Sequence, residues 1–252
     1  MLKDTPAGQR LAKVREMLDL PSVLTALALD NLTVNLDSYV GLSQNYYIYQ
    51  RPSDKRFEWI PWDPSLAFGA LAIGVQGSLD TLPLEWSQET QPPAAGGGIP
   101  GGGMLPPGGG MPPGGGLPPG GGGGPGGGRN TRPLSTVLWG IPEVRAEYRA
   151  IYKKLVDQVL NPDRLLVEAR YLQSVIRQNV VSDPNKLSTL EAFDKALTEA
   201  VSGSIPQQGG AGGPGGAGGI GGGAGGPGGQ MTPGIEPLTR ARDQFVRRQL
   251  AQ

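Results

Sequence analysis

The apolar positions of the first thirty residues predict two helices in succession. Leu11, Val14 and Leu18 recur at spacings of three and four, which predicts a short amphipathic helix over residues 9–20, ended by Pro21. Pro21 then opens a second helix, whose residues 23–32 are apolar on most faces. A helix without a polar face is typical of a buried element, so we expect this one to lie in the core.

The pattern changes to that of β-strands after Asp37. Residues 46–49 read Tyr-Tyr-Ile-Tyr, residues 52–54 read Pro-Ser-Asp, and residues 57–62 are again rich in aromatic side chains. Aromatic and β-branched runs on either side of a Pro-Ser-Asp turn are typical of two paired strands. The sequence therefore predicts a β-hairpin directly after the buried helix.

The last hundred residues carry four further helical patterns. One begins at Pro142, and the next has Asn161 and Pro162 as N-cap and first helical residue. We expect the second of these to bury four residues: Leu165, Leu172, Ile176 and Val180. Ser188 and Glu191 are spaced as a capping box for a third helix, and a last helix is predicted over residues 237–250.

Two glycine- and proline-rich tracts divide these elements. Residues 92–128 hold 20 Gly and 10 Pro in 37 positions, and residues 209–229 hold 15 Gly and 2 Pro in 21. Such segments bury too little apolar surface to offset the entropy of ordering them, so we expect both tracts to be disordered linkers. The predicted organisation is a first folded segment (1–91), a linker (92–128), a helical portion of the same domain (129–208), a second linker (209–229) and a C-terminal helix (230–252).

Helices that follow a hairpin without β-α-β alternation indicate an α+β domain. We expect one hairpin and about five or six helices, interrupted by the two tracts.

Charge and composition exclude several function classes. The chain has 22 basic and 22 acidic residues, so it lacks the net positive charge expected of a nucleic-acid-binding protein. No apolar run is long enough to span a membrane, and the charged first twenty residues leave no room for a signal peptide. The chain contains no Cys and no His, which excludes thiol nucleophiles, imidazole bases and Cys/His zinc sites.

The chemistry that remains points to three residues around the predicted hairpin. Asp37 follows the buried helix, Asn45 precedes the first strand, and Asp63 follows the second. A carboxylate for the attacking hydroxyl and hard oxygen ligands for Mg²⁺ are what phosphoryl transfer requires, and kinases use them in this chain order. Asp and Asn are also common cap and turn residues, so spacing alone leaves that structural interpretation open.

The residue identities in this stretch are more specific than their spacing. Residues 35–39 read Asn-Leu-Asp-Ser-Tyr, residues 45–49 Asn-Tyr-Tyr-Ile-Tyr, residues 57–63 Phe-Glu-Trp-Ile-Pro-Trp-Asp, and Phe-Gly follows at 68–69. The chain therefore resembles the CotH family, the spore coat protein H type of atypical protein kinase. The resemblance implies a kinase-like C-terminal lobe, with Mg²⁺ or Mn²⁺ and ATP as cofactors and a protein Ser or Thr as acceptor.

By this resemblance Asp37 is the catalytic residue, Asp63 ligates the metal, and Asn45 contacts the metal or the nucleotide. Only 36 residues precede Asp37, and they contain no glycine-rich phosphate loop, so we expect the nucleotide-covering lobe to be missing and the enzyme to be incomplete. The alternative is a non-catalytic structural or interaction module whose partners are coat or surface proteins. The resemblance also suggests a spore coat, cell-surface or secreted location.

Overall fold

The second helix of the chain, Leu20–Leu32, supplies much of the buried core and packs mainly against Pro142–Gln158 and Phe57–Pro61. The structure is a computed structural model that describes residues 4–72, 75, 77–86, 132–186, 188–202 and 231–252. Its elements in chain order are α1 (Ala7–Met17), α2 (Leu20–Leu32), β1 (Tyr46–Gln50), β2 (Phe57–Pro61), α3 (Pro133–Trp139), α4 (Pro142–Gln158), α5 (Pro162–Ser182), α6 (Leu190–Lys195), β3 (Val201–Ser202), β4 (Met231–Thr232) and α7 (Ile235–Leu250). Both Gly/Pro tracts lie outside the described residues, so their predicted disorder stays a prediction.

The expected burial of α2 is confirmed. Asp19 caps its N-terminus by accepting a hydrogen bond from the Ser22 N–H, and Pro21 lies in its first turn. Seven apolar side chains of α2 are buried on several faces of the helix: Leu20, Val23, Leu24, Ala26, Leu27, Ala28 and Leu32. Helix α4 and strand β2 make its largest contacts. This packing fixes the point at which the chain leaves α2, five residues before Asp37.

The predicted hairpin and the α+β class are also confirmed. Strands β1 and β2 pair antiparallel, with Tyr46 opposite Pro61 and Gln50 opposite Phe57. A second, two-residue ladder joins β3 to β4. The described residues form seven α-helices, whereas about five or six were expected. The short helix α3 was not predicted because it has no periodic apolar pattern of sufficient length.

Two details of the helical half differ from the sequence expectation. None of the four side chains expected to be buried by α5 is buried: Leu165 and Val180 are half-buried, and Leu172 and Ile176 are 57% and 44% exposed. Only the N-terminal part of α5 reaches the core, through Leu166. The N-cap of α6 is Thr189 rather than Ser188: its hydroxyl accepts from the Ala192 N–H, and the helix ends at Lys195.

A buried arginine joins the C-terminal helix to the core. Arg242 of α7 donates to the Asn31 Oδ1 of α2 at 2.5 Å, to the Tyr152 hydroxyl of α4 at 3.1 Å and to the Leu82 carbonyl. Tyr152 in turn donates to Asn31 Oδ1 at 2.8 Å. One guanidinium therefore donates hydrogen bonds to buried polar groups from three separate parts of the chain.

We expect Arg242→Met to lower the free energy of unfolding by about 3 kcal/mol, because the Leu82 carbonyl and the Asn31 side chain lose a donor in a dry environment. Arg248→Met, on the exposed side of the same helix, makes the same chemical change and should cost less than ~0.5 kcal/mol. Urea unfolding of the two variants measures the difference. Equal stability of both variants would show that the buried hydrogen bonds contribute nothing net.

Candidate functional site

The loop that carries Asp37 begins with a strained turn at the end of α2. Val34 has φ +53°, which is unfavourable for a β-branched side chain. The turn is held by the segment after β2: Phe68 N–H donates to the Thr33 carbonyl at 2.6 Å, and Gly69 N–H to the Val34 carbonyl at 3.3 Å. Strain of this kind persists where the surrounding structure enforces it, and functional sites are where it concentrates.

Two side-chain amides orient the Asp37 carboxylate. Asn45 Nδ2 donates to the Asp37 backbone carbonyl at 2.7 Å and to Asp37 Oδ2 at 2.8 Å. Gln44 Nε2 donates to the other carboxylate oxygen, Oδ1. Asp37 is only 8% exposed, so its rotation is fixed from both sides. Sequence reasoning missed Gln44, because one polar residue beside Asn45 carries no periodic signal.

The hairpin returns the chain to Asn45 and places Asp63 next to it. Trp62 N–H donates to the Asn45 carbonyl at 3.0 Å, so Asp63 directly follows a residue hydrogen-bonded to Asn45. Asn45 and Asp63 both have left-handed backbones, with φ +58° and +43°. Hydrogen bonds from the Ser65 hydroxyl and N–H lower the pKa of the Asp63 carboxyl, which favours its charged form.

Three aromatic rings fasten the hairpin to the Asp37 loop. Tyr46 of β1 and Trp59 of β2 stack at 4.3 Å, and Tyr39 meets both rings edge-on at 5.3 and 5.1 Å. Tyr39 lies two residues after Asp37, and its hydroxyl accepts from the Leu134 N–H at 3.1 Å. Trp59 is therefore a packing residue, whereas Trp62 is 57% exposed and contacts Tyr47 edge-on.

A second buried arginine supports the same loop from behind. Arg132, fully buried at the N-terminus of α3, donates from Nε to the Tyr39 carbonyl at 2.6 Å and from Nη2 to the Gly41 carbonyl. Gly41 packs directly on the loop itself, because a Cβ built on it would lie 1.9 Å from the Leu36 carbonyl oxygen. The backbone on both sides of Asp37 is thus in van der Waals or hydrogen-bond contact with fixed groups.

The donor set of the site is compatible with magnesium held largely by a nucleotide. Asp37, Asn45 and Asp63 offer carboxylate and amide oxygens, which are hard ligands, and Mg²⁺ often takes only one or two protein carboxylates together with phosphates. Within the described residues, no group of three or more Asp, Glu, His or Cys side chains is placed to hold a metal by itself.

The structure thus brings Asp37 and Asn45 into direct contact and joins Asp63 to Asn45 through the backbone. The catalytic, nucleotide and metal roles of the three residues stay predictions.

A family model matches most of the chain. The family model described as CotH kinase protein matches residues 2–202, which include the whole site. The chain belongs to the CotH kinase family. A search of curated proteins found no match. Helix α7 lies beyond the region matched to CotH, although its Arg242 is part of the core. Among the described residues, no helix is long and apolar enough to cross a membrane.

Gly41→Ala tests whether the Asp37 loop tolerates displacement. We expect a loss of about 2 kcal/mol or more, because the new methyl group would overlap the Leu36 carbonyl oxygen and the backbone must move. Gly8→Ala, in α1 with nothing within 4 Å of its Cβ, should instead stabilise by about 0.5–1 kcal/mol. Thermal unfolding of both variants measures the two signs, and a neutral Gly41→Ala would contradict the tight packing.

Asp30, at the end of α2, should make stability depend on pH. Burial raises its pKa from 3.8 to about 6, although hydrogen bonds from Asn35 and Ser38 oppose the shift. The folded state therefore binds more protons than the unfolded state between pH 3.8 and 6, and stability falls as pH rises through that window. Asp30→Asn removes the charge and should gain about 1–3 kcal/mol over the parent at pH 7, with no gain below pH 4. A pH-independent difference in urea unfolding would contradict this.

Proposed function

We propose that the chain carries the catalytic-loop part of a CotH-type phosphotransferase, which moves the γ-phosphoryl group of ATP to a Ser or Thr hydroxyl of a protein. The contact between Asn45 and Asp37 is the observation that carries the proposal. It links the proposed base to a proposed metal ligand through one amide, and the hairpin joins Asp63 to the same amide residue.

Asp37 would accept the proton of the acceptor hydroxyl. Its carboxylate is buried and oriented by the amides of Asn45 and Gln44, but each carboxylate oxygen can accept more than one hydrogen bond, so both remain able to receive a hydroxyl. A base that is already oriented lowers the entropic cost of reaching the reactive geometry.

Asp63 and Asn45 would hold the metal through their side-chain oxygens. Asn45 uses its Nδ2 on Asp37, which leaves Oδ1 for a cation. The hydrogen bonds from Ser65 keep Asp63 charged and fix its direction. Bound Mg²⁺ or Mn²⁺ would neutralise the charge on the transferring phosphates.

The described residues supply few groups that could position the phosphates of ATP. Kinases also use a lysine on a strand and a glycine-rich loop over the phosphates. Neither β1 nor β2 carries a lysine, and the described residues before Asp37 form two helices rather than strands. We therefore expect weak Mg·ATP binding and slow transfer by this chain alone.

A second proposal, a structural or interaction module of a spore coat or cell surface, draws on α5. Its Tyr171, Leu172, Val175 and Ile176 form an exposed apolar stripe, each between 44% and 63% exposed. Exposed apolar patches of this kind are typical of protein-binding surfaces, and coat or surface proteins would be the partners.

Metal binding separates the two proposals without requiring turnover. We expect Mn²⁺ to bind the purified chain, detected by electron paramagnetic resonance, and to be displaced by Mg²⁺. Asp63→Ala should weaken binding at least tenfold, because it removes a charged oxygen ligand. Asp54→Ala, at the hairpin turn and paired with Arg51, is the matched control and should leave Mn²⁺ affinity unchanged.

Transfer is then measured with labelled ATP, Mn²⁺ and a Ser-rich acceptor protein. We expect slow labelling that falls a further hundredfold or more in Asp37→Ala. Fast labelling abolished by Asp63→Ala would show that the 252 residues are complete as an enzyme. Mn²⁺ affinity that is the same in Asp63→Ala and Asp54→Ala, with no labelling, would favour the structural module.

A further inference from the structure

The two edges of the hairpin present different backbone groups. Asn45 and Trp62 form a hydrogen-bonded pair at one end of the hairpin, and Arg51 and Arg56 form one at the other end. Between them, hydrogen-bonded and non-hydrogen-bonded pairs alternate along the ladder. Residues opposite each other in an antiparallel ladder alternate between pairs that exchange hydrogen bonds and pairs whose N–H and C=O groups point outward. Tyr46, Ile48 and Gln50 of β1 therefore direct these groups away from β2.

The outer edge of β2 is covered by the helical part of the fold. Phe57, one of its outward-facing residues, accepts at its carbonyl from the Asp19 N–H at 2.8 Å. Trp59, the next one, accepts from the Ser22 hydroxyl at 3.4 Å. The start of α2 thus occupies this edge, and no further strand can pair there.

Among the described residues, nothing pairs with the outer edge of β1. Across the part of the chain that the structure describes, the outward N–H and C=O groups of Tyr46, Ile48 and Gln50 make no hydrogen bond. Proteins usually protect such an edge with a charge, a proline or a bulge, and the Tyr-Tyr-Ile-Tyr-Gln strand has none of these. Tyr47, Ile48 and Tyr49 are also about half exposed, so the flanking side chains are free for contact.

The open edge leads directly into the candidate site. Asn45, the residue before β1, donates to both the backbone and the carboxylate of Asp37. A strand advances about 3.3 Å per residue, so a chain paired with β1 reaches Asn45 and Asp37 within one or two residues of Tyr46.

We propose that the β1 edge binds an extended segment of the protein acceptor as a third, antiparallel strand and so delivers its Ser or Thr to Asp37. The identity of the bound segment as acceptor rests on the proposed function. Only an extended polypeptide offers N–H and C=O groups that repeat every second residue, about 7 Å apart, as the edge requires. Antiparallel pairing is the more stable arrangement, so the docked residues precede the acceptor in sequence.

The side chains of β1 indicate what such a segment contains. Tyr47 and Tyr49 lie on one face of the strand and Ile48 on the other. Aromatic and β-branched residues form favourable cross-strand pairs with side chains of the same kinds. We therefore expect apolar β-branched or aromatic residues on the N-terminal side of the acceptor.

Amide exchange in the full chain tests the proposal. The probe is the peptide Lys-Thr-Val-Thr-Val-Thr-Val-Ser-Gly-Lys, added to ¹⁵N-labelled protein without nucleotide. We expect hydrogen exchange of the Tyr46, Ile48 and Gln50 amides to slow at least tenfold. The Tyr47 and Tyr49 amides, already paired with β2, should change little and serve as internal controls.

Backbone methylation of the probe tests the hydrogen bonds themselves. Two further peptides carry N-methyl groups at alternate positions, one on the odd and one on the even residues. Only one of the two sets points its N–H groups at β1, so one peptide should lose binding at least tenfold and the other should keep it. Equal binding by both peptides would overturn the proposal.

A variant pair checks the protein side. Ile48→Pro removes an outward N–H that takes no part in pairing with β2, whereas Ile48→Val keeps it. We expect Ile48→Pro to lose probe binding at least tenfold and Ile48→Val to keep it. Retained exchange protection at Tyr47 and Tyr49 shows that the hairpin of the proline variant is intact, and the methylated peptides test the same bonds if it is not.

Other outcomes identify a different occupant or a different failure. Concentration-dependent protection of the three amides in the free protein, with a doubled mass in light scattering, would assign the edge to a second copy and overturn the proposal. A probe that protects no amide of β1 would overturn it as well. Probe binding without phosphate transfer would confirm docking while contradicting the proposed function, and transfer without protection would do the reverse.

Discussion

The arrangement of the site depends on the hydrogen bonds that the Asn45 side chain donates to Asp37. The Asn45 amide reaches back eight residues to the carbonyl and carboxylate of Asp37, and its own carbonyl accepts the N–H of Trp62. One residue therefore joins the loop after α2 to the end of β2. Its left-handed backbone, φ +58°, suits an asparagine better than most residues, because Asn visits this region at low cost.

Buried arginines extend the same support to the distant segments. Arg132 binds the carbonyls of Tyr39 and Gly41, and Arg242 binds those of Leu82 and of the Asn31 side chain. Arg132 follows the first Gly/Pro tract and Arg242 follows the second, and both contact residues that precede the first tract. The entropic cost of closing a loop rises only slowly with its length, so a few hydrogen bonds can hold together segments that long inserts separate.

The sequence predicted the parts of the fold that depend on local pattern. The burial of α2 and the presence of the hairpin followed from residues adjacent in sequence. The exposure of Leu172 and Ile176 did not, because α5 has an apolar face whether or not another element covers it. Gln44 and the two arginines were missed for a related reason: their roles come from contacts across up to 211 residues or from a single neighbour, and neither leaves a periodic signal.

The difference between the hairpin edges connects the fold to the proposed chemistry. A two-stranded hairpin is marginally stable by itself, so this one relies on the rings of Tyr39, Tyr46 and Trp59 and on the helical cover of β2. Those contacts stabilise it from one side and leave β1 uncovered. An exposed apolar strand edge carries a risk of aggregation. A ligand that binds this edge would explain why it is exposed beside Asp37. The same packing that fixes the base would then also present the strand that brings the acceptor to it.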